Sequence, residues 1–160
     1  METFGLRNRR AILGFAVLLL AGMTATPDGR AQQSPPLSSG ILESVRPDSR
    51  LVIFYLGAPD CPYCQHWEAK SREDLVTWAA ARNITYVEIL GETLRQPITD
   101  RHYPPQYQGV YAQIGPSRGV PRFLLAIDGK VRLSAFGTNR YSEFFLPILK
   151  QVAERRANPS

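Results

Sequence analysis

The run "RLVIFYLG", residues 50–57, constrains the fold of this chain more than any other stretch. It is made of β-branched, aromatic and aliphatic residues without helical gaps, and Gly57 and Pro59 close it. Such a run reads as a buried strand. Directly after it, in "APDCPYCQHW", come the only two cysteines of the chain, Cys61 and Cys64. From Cys64 onward, apolar or small residues at 64, 67, 75, 78 and 79 keep helical spacing. The spacing predicts a helix over 62–82, and Ser71 with Asp74 imitates a capping box, so a kink or restart is expected inside it.

Further on, "ITYVEIL" (84–90), "RFLLAID" (122–128) and "VRLSAF" (131–136) read as three more strands, and Asp128-Gly129 between the last two is a tight-hairpin signal. In "YSEFFLPILKQVAERR", Phe145, Ile148, Leu149 and Val152 form one face of a C-terminal helix, with Ser142 as its expected N-cap. Pro147 suits that helix only in its early turns. Residues 91–106 read as loop, and a short helix is expected near Tyr107 to Ile114. The order implies an α/β chain: a sheet with one crossover helix and one terminal hairpin.

With 160 residues, 44% hydrophobic and 21% charged, the chain fits one globular domain plus terminal extensions. At its start, Arg7, Arg9 and Arg10 precede an apolar run from Ala11 to Ala21, followed by a polar stretch with "GRA" at 29–31. That order reads as a signal peptide over 1–31. The run falls short of the ~20 residues a spanning helix needs, although an uncleaved anchor is the rival reading. Export to the periplasm or outside the cell is the expectation. Residues 32–48, opening with "QQSPPLSSG", read as a linker, and 49–156 as the domain. Loss of the leader removes Arg7, Arg9, Arg10 and Arg30 together with Glu2 and Asp28, so the net charge of +5 drops by two. No basic run or aromatic-basic interleaving remains to suggest a nucleic-acid partner.

The cysteine pair admits three chemistries. A structural staple across two intervening residues closes almost no loop and so stabilises little. A metal site needs further ligands, and the soft donors on offer are His66 and His102. A redox pair fits the position best. At the first turn of a helix, Cys61 sits at the positive end of the macrodipole, where a thiolate is favoured. Cys61 is then the attacking sulfur and Cys64, one turn in, the resolving one. Pro62 suits the first helical position because it has no N–H to lose.

"LVIFYLGAPDCPYCQHWEA" followed far downstream by "RGVPRFLLAIDGKVR" resembles the thioredoxin superfamily, over about Leu51 to Val152. The leader, "CPYCQHW" and "YSEFFLPIL" are most similar to its small periplasmic members of the SoxW or SoxS kind. The resemblance implies a thioredoxin fold, a mixed sheet of about four strands with flanking helices. It also implies a thiol:disulfide oxidoreductase with no bound cofactor and no metal, acting on cysteine-containing protein substrates. Pro121 would be cis and face the CxxC, and Val120 would offer its backbone to a bound substrate strand. A reductase of this kind also takes electrons from a membrane protein. Two features depart from the family: one Gly and no acid in "FGTNR", against a glutathione site, and Tyr55 where thioredoxin has a buried acid. Glu68, Asp60 or water then remain as proton acceptors for Cys64. A metal carrier using the same cysteines and a redox-inactive binding module are the alternatives.

Aromatic residues complete the expectations. Trp67 and Trp78, at helical spacing, read as core. Tyr63, between the cysteines, reads as an exposed substrate contact. Tyr103, Tyr107 and Tyr111 with Pro104-Pro105 read equally as a partner surface or as loop packing.

Overall fold

The structure, a computed structural model, describes residues 37–158. The expected signal peptide lies outside the described residues. Four strands, β1 (Leu51–Gly57), β2 (Thr85–Leu90), β3 (Arg122–Ile127) and β4 (Lys130–Phe136), form one sheet in the order β2-β1-β3-β4. β1 pairs parallel with β2 and antiparallel with β3, and β3 pairs antiparallel with β4. The parallel pair needs a crossover, and the helical stretch after β1 supplies it.

Every residue of β1 is buried, as its uninterrupted apolar run requires. Successive side chains alternate between faces. Leu51, Ile53 and Tyr55 join Phe123, Leu125 and Ile127 of β3 in one core, whereas Val52, Phe54 and Leu56 join Leu124 and Ala126 in a second. Helices cover the first face: α1 (Leu37–Glu43), α2 (Pro62–Trp67), α3 (Glu73–Ala80) and α6 (Leu146–Ala157). The second is covered by Ile98, Tyr103 and Val110, the last from α4 (Gln108–Ile114). This mixed, helix-flanked sheet, with both cysteines at the head of the helix after β1, is the thioredoxin fold.

α1 lies within the stretch read as a linker, and Ile41 and Val45 pack into the first core. Two expectations change. The helix predicted over 62–82 is widened rather than restarted: a π-helical turn, Glu68–Arg72, joins α2 to α3, with no side-chain cap at Arg72. At 3.6 residues per turn, Trp67 and Leu75 would lie about 80° apart. The wider turn, with its i→i+5 bonds, absorbs that offset and lets both be buried. Ser142 is not an N-cap. The C-terminal helical stretch starts at α5 (Gly137–Arg140), Ser142 lies in a second π-helical turn (Tyr141–Phe145) where its hydroxyl donates to the Asn139 carbonyl at 3.0 Å, and Pro147 falls in the first turn of α6.

The hairpin forms where expected. Asp128 and Gly129 both take positive φ, 51° and 78°, as a primed two-residue turn demands. Asp128 also accepts the Arg50 N–H at 2.8 Å and the Ser49 hydroxyl at 3.0 Å, which ties the hairpin to the start of β1. Among the described residues no helix is long and apolar enough to cross a membrane.

Candidate active site

β1 ends at Gly57, and a short turn delivers Cys61 to the N-cap of α2 with extended backbone, φ −95° and ψ 109°. Its sulfur performs the capping, accepting the Cys64 N–H at 3.1 Å, and Pro62 stands in the first turn. The two cysteines form a disulfide with their Cα atoms 5.2 Å apart. Both are buried, and Tyr63 between them is 69% exposed. Pro62 is exposed as well, so the two residues between the cysteines face outward while both cysteines stay sheltered.

Far in sequence, the segment before β3 closes on this pair. The Val120–Pro121 peptide is cis, and the Val120 carbonyl oxygen lies 3.7 Å from the Cys61 sulfur. Pro121 is buried, and its carbonyl accepts the Gly137 N–H at 2.8 Å. Tyr63, Val120 and Pro121 line a cavity of about 240 Å³ with Phe136, Thr138 and Arg140. The guanidinium of Arg122 lies 4.5 Å over the Phe136 ring, which is itself half exposed. All five residues singled out from the sequence (Cys61, Tyr63, Cys64, Val120 and Pro121) thus meet at one place. Phe136 and Arg140 complete its rim, and no local motif marks them.

Tyr55, where the resemblance would place an acid, belongs to the same core cluster as the cysteines. The Tyr55 hydroxyl, on a fully buried side chain, donates to Glu68 at 2.6 Å, while its ring stacks on Trp67 with centroids 4.5 Å apart. Burial, then the Glu68 carboxylate, push the hydroxyl above its ordinary pKa, so it stays a donor. Gly57 makes room for it: a Cβ there would stand 2.6 Å from the Tyr55 oxygen. The Glu68 carboxylate it meets comes from the helical stretch after β1, one turn beyond Cys64.

Asp60 is engaged elsewhere. Its carboxylate accepts the Thr93 hydroxyl and the Leu94 N–H, the latter at 2.7 Å. With the Gly91 N–H bonded to the Gly57 carbonyl at 2.9 Å and Ile98 bridged to Ser117, this fastens the 91–106 stretch beside both halves of the site. The Thr93 bond, then the Leu94 bond, hold the Asp60 carboxyl below its usual value of 3.8. A lowered carboxyl keeps its clamp above the ordinary pKa and loses it as pH falls through the depressed one. The Leu94 amide resonance is therefore expected to titrate with a midpoint below 3.8, and to stay still in Asp60→Asn. A midpoint at or above the ordinary value would contradict the clamp.

The histidines lie apart from the cysteines' bonding network. His102 accepts the Thr99 N–H through Nδ1 at 2.9 Å and meets Glu92 through Nε2 at 2.8 Å, which brings the Glu92 carboxyl down to about 2. His66 is exposed on α2. Among the described residues no three His, Cys, Asp or Glu side chains gather as a metal-ligand group. The tyrosines resolve as packing: Tyr103 is buried against Tyr111 at 5.5 Å, and Tyr107 sets its edge on Phe54 at 5.0 Å. Trp67 is core, and Trp78 is half buried with the Arg82 guanidinium 4.6 Å above it.

No protein-family model and no curated protein sequence matches the chain. Solved structures similar to it include the periplasmic thioredoxin SoxS from Paracoccus pantotrophus in its reduced form, at 22% identity and a TM-score of 0.43, covering 69% of this chain and all of that one. Another is the thioredoxin of Fasciola hepatica, at 16% identity and a TM-score of 0.40, covering 75% of this chain and 90% of that one.

Proposed function

We propose that this chain is an exported thiol:disulfide oxidoreductase that exchanges disulfides with cysteine-containing proteins, working in the periplasm or outside the cell. The observation that carries this reading is the Cys61 sulfur, capping a helix and accepting a backbone N–H, 3.7 Å from the carbonyl of the segment before β3. A sulfur so placed gains from ionising, since the N–H and the helix dipole both favour the anion. In reduction, the Cys61 thiolate attacks one sulfur of a substrate disulfide, forming a mixed disulfide and expelling the other substrate sulfur as thiolate. Cys64 then gives its proton to a base and attacks the Cys61 sulfur. The Cys61–Cys64 disulfide forms, the second substrate thiol leaves, and two electrons have passed from protein to substrate. The same steps reversed oxidise a substrate dithiol.

Tyr63, Val120 and Pro121 are the substrate-facing residues of this reading, supported by their common cavity beside Cys61. Glu68 is the base for Cys64, supported by its place one turn on and by the Tyr55 hydroxyl that orients its carboxylate. A membrane protein is the expected electron partner.

Trapping tests the reading directly. Cys64→Ser leaves the attacking sulfur and removes the resolving one, so substrates are expected to accumulate as mixed disulfides on Cys61, visible as reductant-sensitive adducts. Adducts on Cys61→Ser in place of Cys64→Ser would reverse the roles, and adducts on neither would remove the activity.

A further inference from the structure

The cavity beside Cys61 does not end at Arg140. Thr138 and Asn139, which line it, also line a larger one of about 520 Å³ in the cleft between the α2–α3 stretch and the C-terminal helices. The two adjoin at these residues, and we treat them as one groove, from Tyr63 and Val120 beside the disulfide to Trp78 on α3. Its floor is apolar and aromatic, with Trp67, Leu75, Tyr141 and Leu146 below and Trp78 on the flank. Its rim is cationic: Arg140 at the disulfide end, Lys70 from one wall and Lys150 from the other, against a single carboxylate, Asp74. Lys70 and Lys150 are exposed, and neither takes part in a salt bridge among the described residues.

On the oxidoreductase reading, we infer that this groove is an extended docking site for the substrate protein. It receives an acidic segment that bears an aromatic side chain and flanks the reacting cysteine. Charge complementarity selects the occupant: opposed lysines on facing walls attract carboxylates and repel a basic segment. Shape agrees, because two adjoining cavities, the nearer lined by Val120 with its carbonyl 3.7 Å from the Cys61 sulfur, suit an extended chain better than a compact ligand. Trp78, half buried on the flank, accepts a ring in edge-to-face contact. Substrate choice is thereby separated from the chemistry: Cys61 reacts, while residues as far along the chain as Trp78 and Lys150 decide which cysteines are presented.

The test uses the full-length protein and synthetic peptides, each with one cysteine held as a disulfide with glutathione. In one set an aromatic residue and several glutamates flank the cysteine, on either its N-terminal or its C-terminal side; in the matched set lysines replace the glutamates. The reduced protein is expected to reduce the better acidic peptide about tenfold faster than its basic twin, a ratio in the range a few charge pairs supply, and added salt should narrow it. In the K70E/K150E double variant the preference should vanish or invert, while the rate with hydroxyethyl disulfide, too small to reach the groove, stays unchanged. Equal rates for both sets, or a preference that survives the double variant, would overturn the inference. Peptides with serine for cysteine separate it from the redox reading: the acidic one should shift the Trp78 indole resonance in the oxidised protein. That shift without turnover of hydroxyethyl disulfide would sink the oxidoreductase activity and leave the groove. Turnover with neither shift nor preference would sink the groove alone.

Discussion

Trp67→Ala is expected to destabilise the protein by about 3–5 kcal/mol, the range for removing a large aromatic from a core that cannot collapse around the gap. Trp67 is 2% exposed. Its ring stacks on Tyr55 and meets Phe123 and Tyr141 edge-on, with centroids 4.9 and 5.3 Å away. It joins the sheet, the cysteine-bearing helix and the C-terminal helical stretch, so the cavity would open where three elements meet. Denaturant unfolding of the oxidised protein reads the loss as a lower midpoint at unchanged slope. Trp78, half buried, should cost markedly less on truncation. Equal costs for the two would show that Trp67 is not the centre of this core.

Glu68→Gln is expected to slow the resolving attack of Cys64 about 100-fold, the lower end of what a positioned general base contributes. Glutamine keeps the size of the side chain and an oxygen for the Tyr55 hydroxyl, and loses the ability to take a proton. The first attack, by the N-capping Cys61, draws on the helix end instead and should keep its rate. Rapid mixing of the reduced variant with a peptide disulfide should therefore show the mixed disulfide forming at the ordinary speed and persisting. Tyr55→Phe, which frees the carboxylate without removing it, should give a smaller slowing of the same step. Slowing of both steps alike, or of neither, would take Glu68 out of the mechanism.

The parts of this fold legible in the sequence are those with local causes. The unbroken apolar run of β1, the Asp128-Gly129 turn and the Pro62 start of α2 each need only their neighbours to be read, and each stands where expected. The meeting of Cys61 with Val120, 59 positions on, and with Pro121 was legible only through the family resemblance. Neither π-helical turn leaves a local signature, because apolar spacing reports which face is buried and not the offset of the backbone bonds. α1 was hidden by the Ser- and Pro-rich residues before it, which outweigh the two side chains, Ile41 and Val45, that anchor it. The Tyr55–Glu68 pair depends on space that Gly57 leaves beneath it, a long-range fit that no spacing rule contains. The groove rim is likewise assembled from Lys70, Arg140 and Lys150, three positions far apart in the chain.

The reduction potential of the Cys61–Cys64 pair, measured by equilibrating the full-length protein with glutathione or dithiothreitol buffers, bears most directly on whether this disulfide is a working redox centre. Working dithiol/disulfide pairs lie between roughly −270 and −120 mV, and structural disulfides below about −300 mV. A sulfur that caps a helix, accepts a backbone N–H and adjoins a cavity should place the pair within the working range. A value below about −300 mV, beyond the reach of the glutathione pool, would mark a structural bridge and contradict the proposed activity.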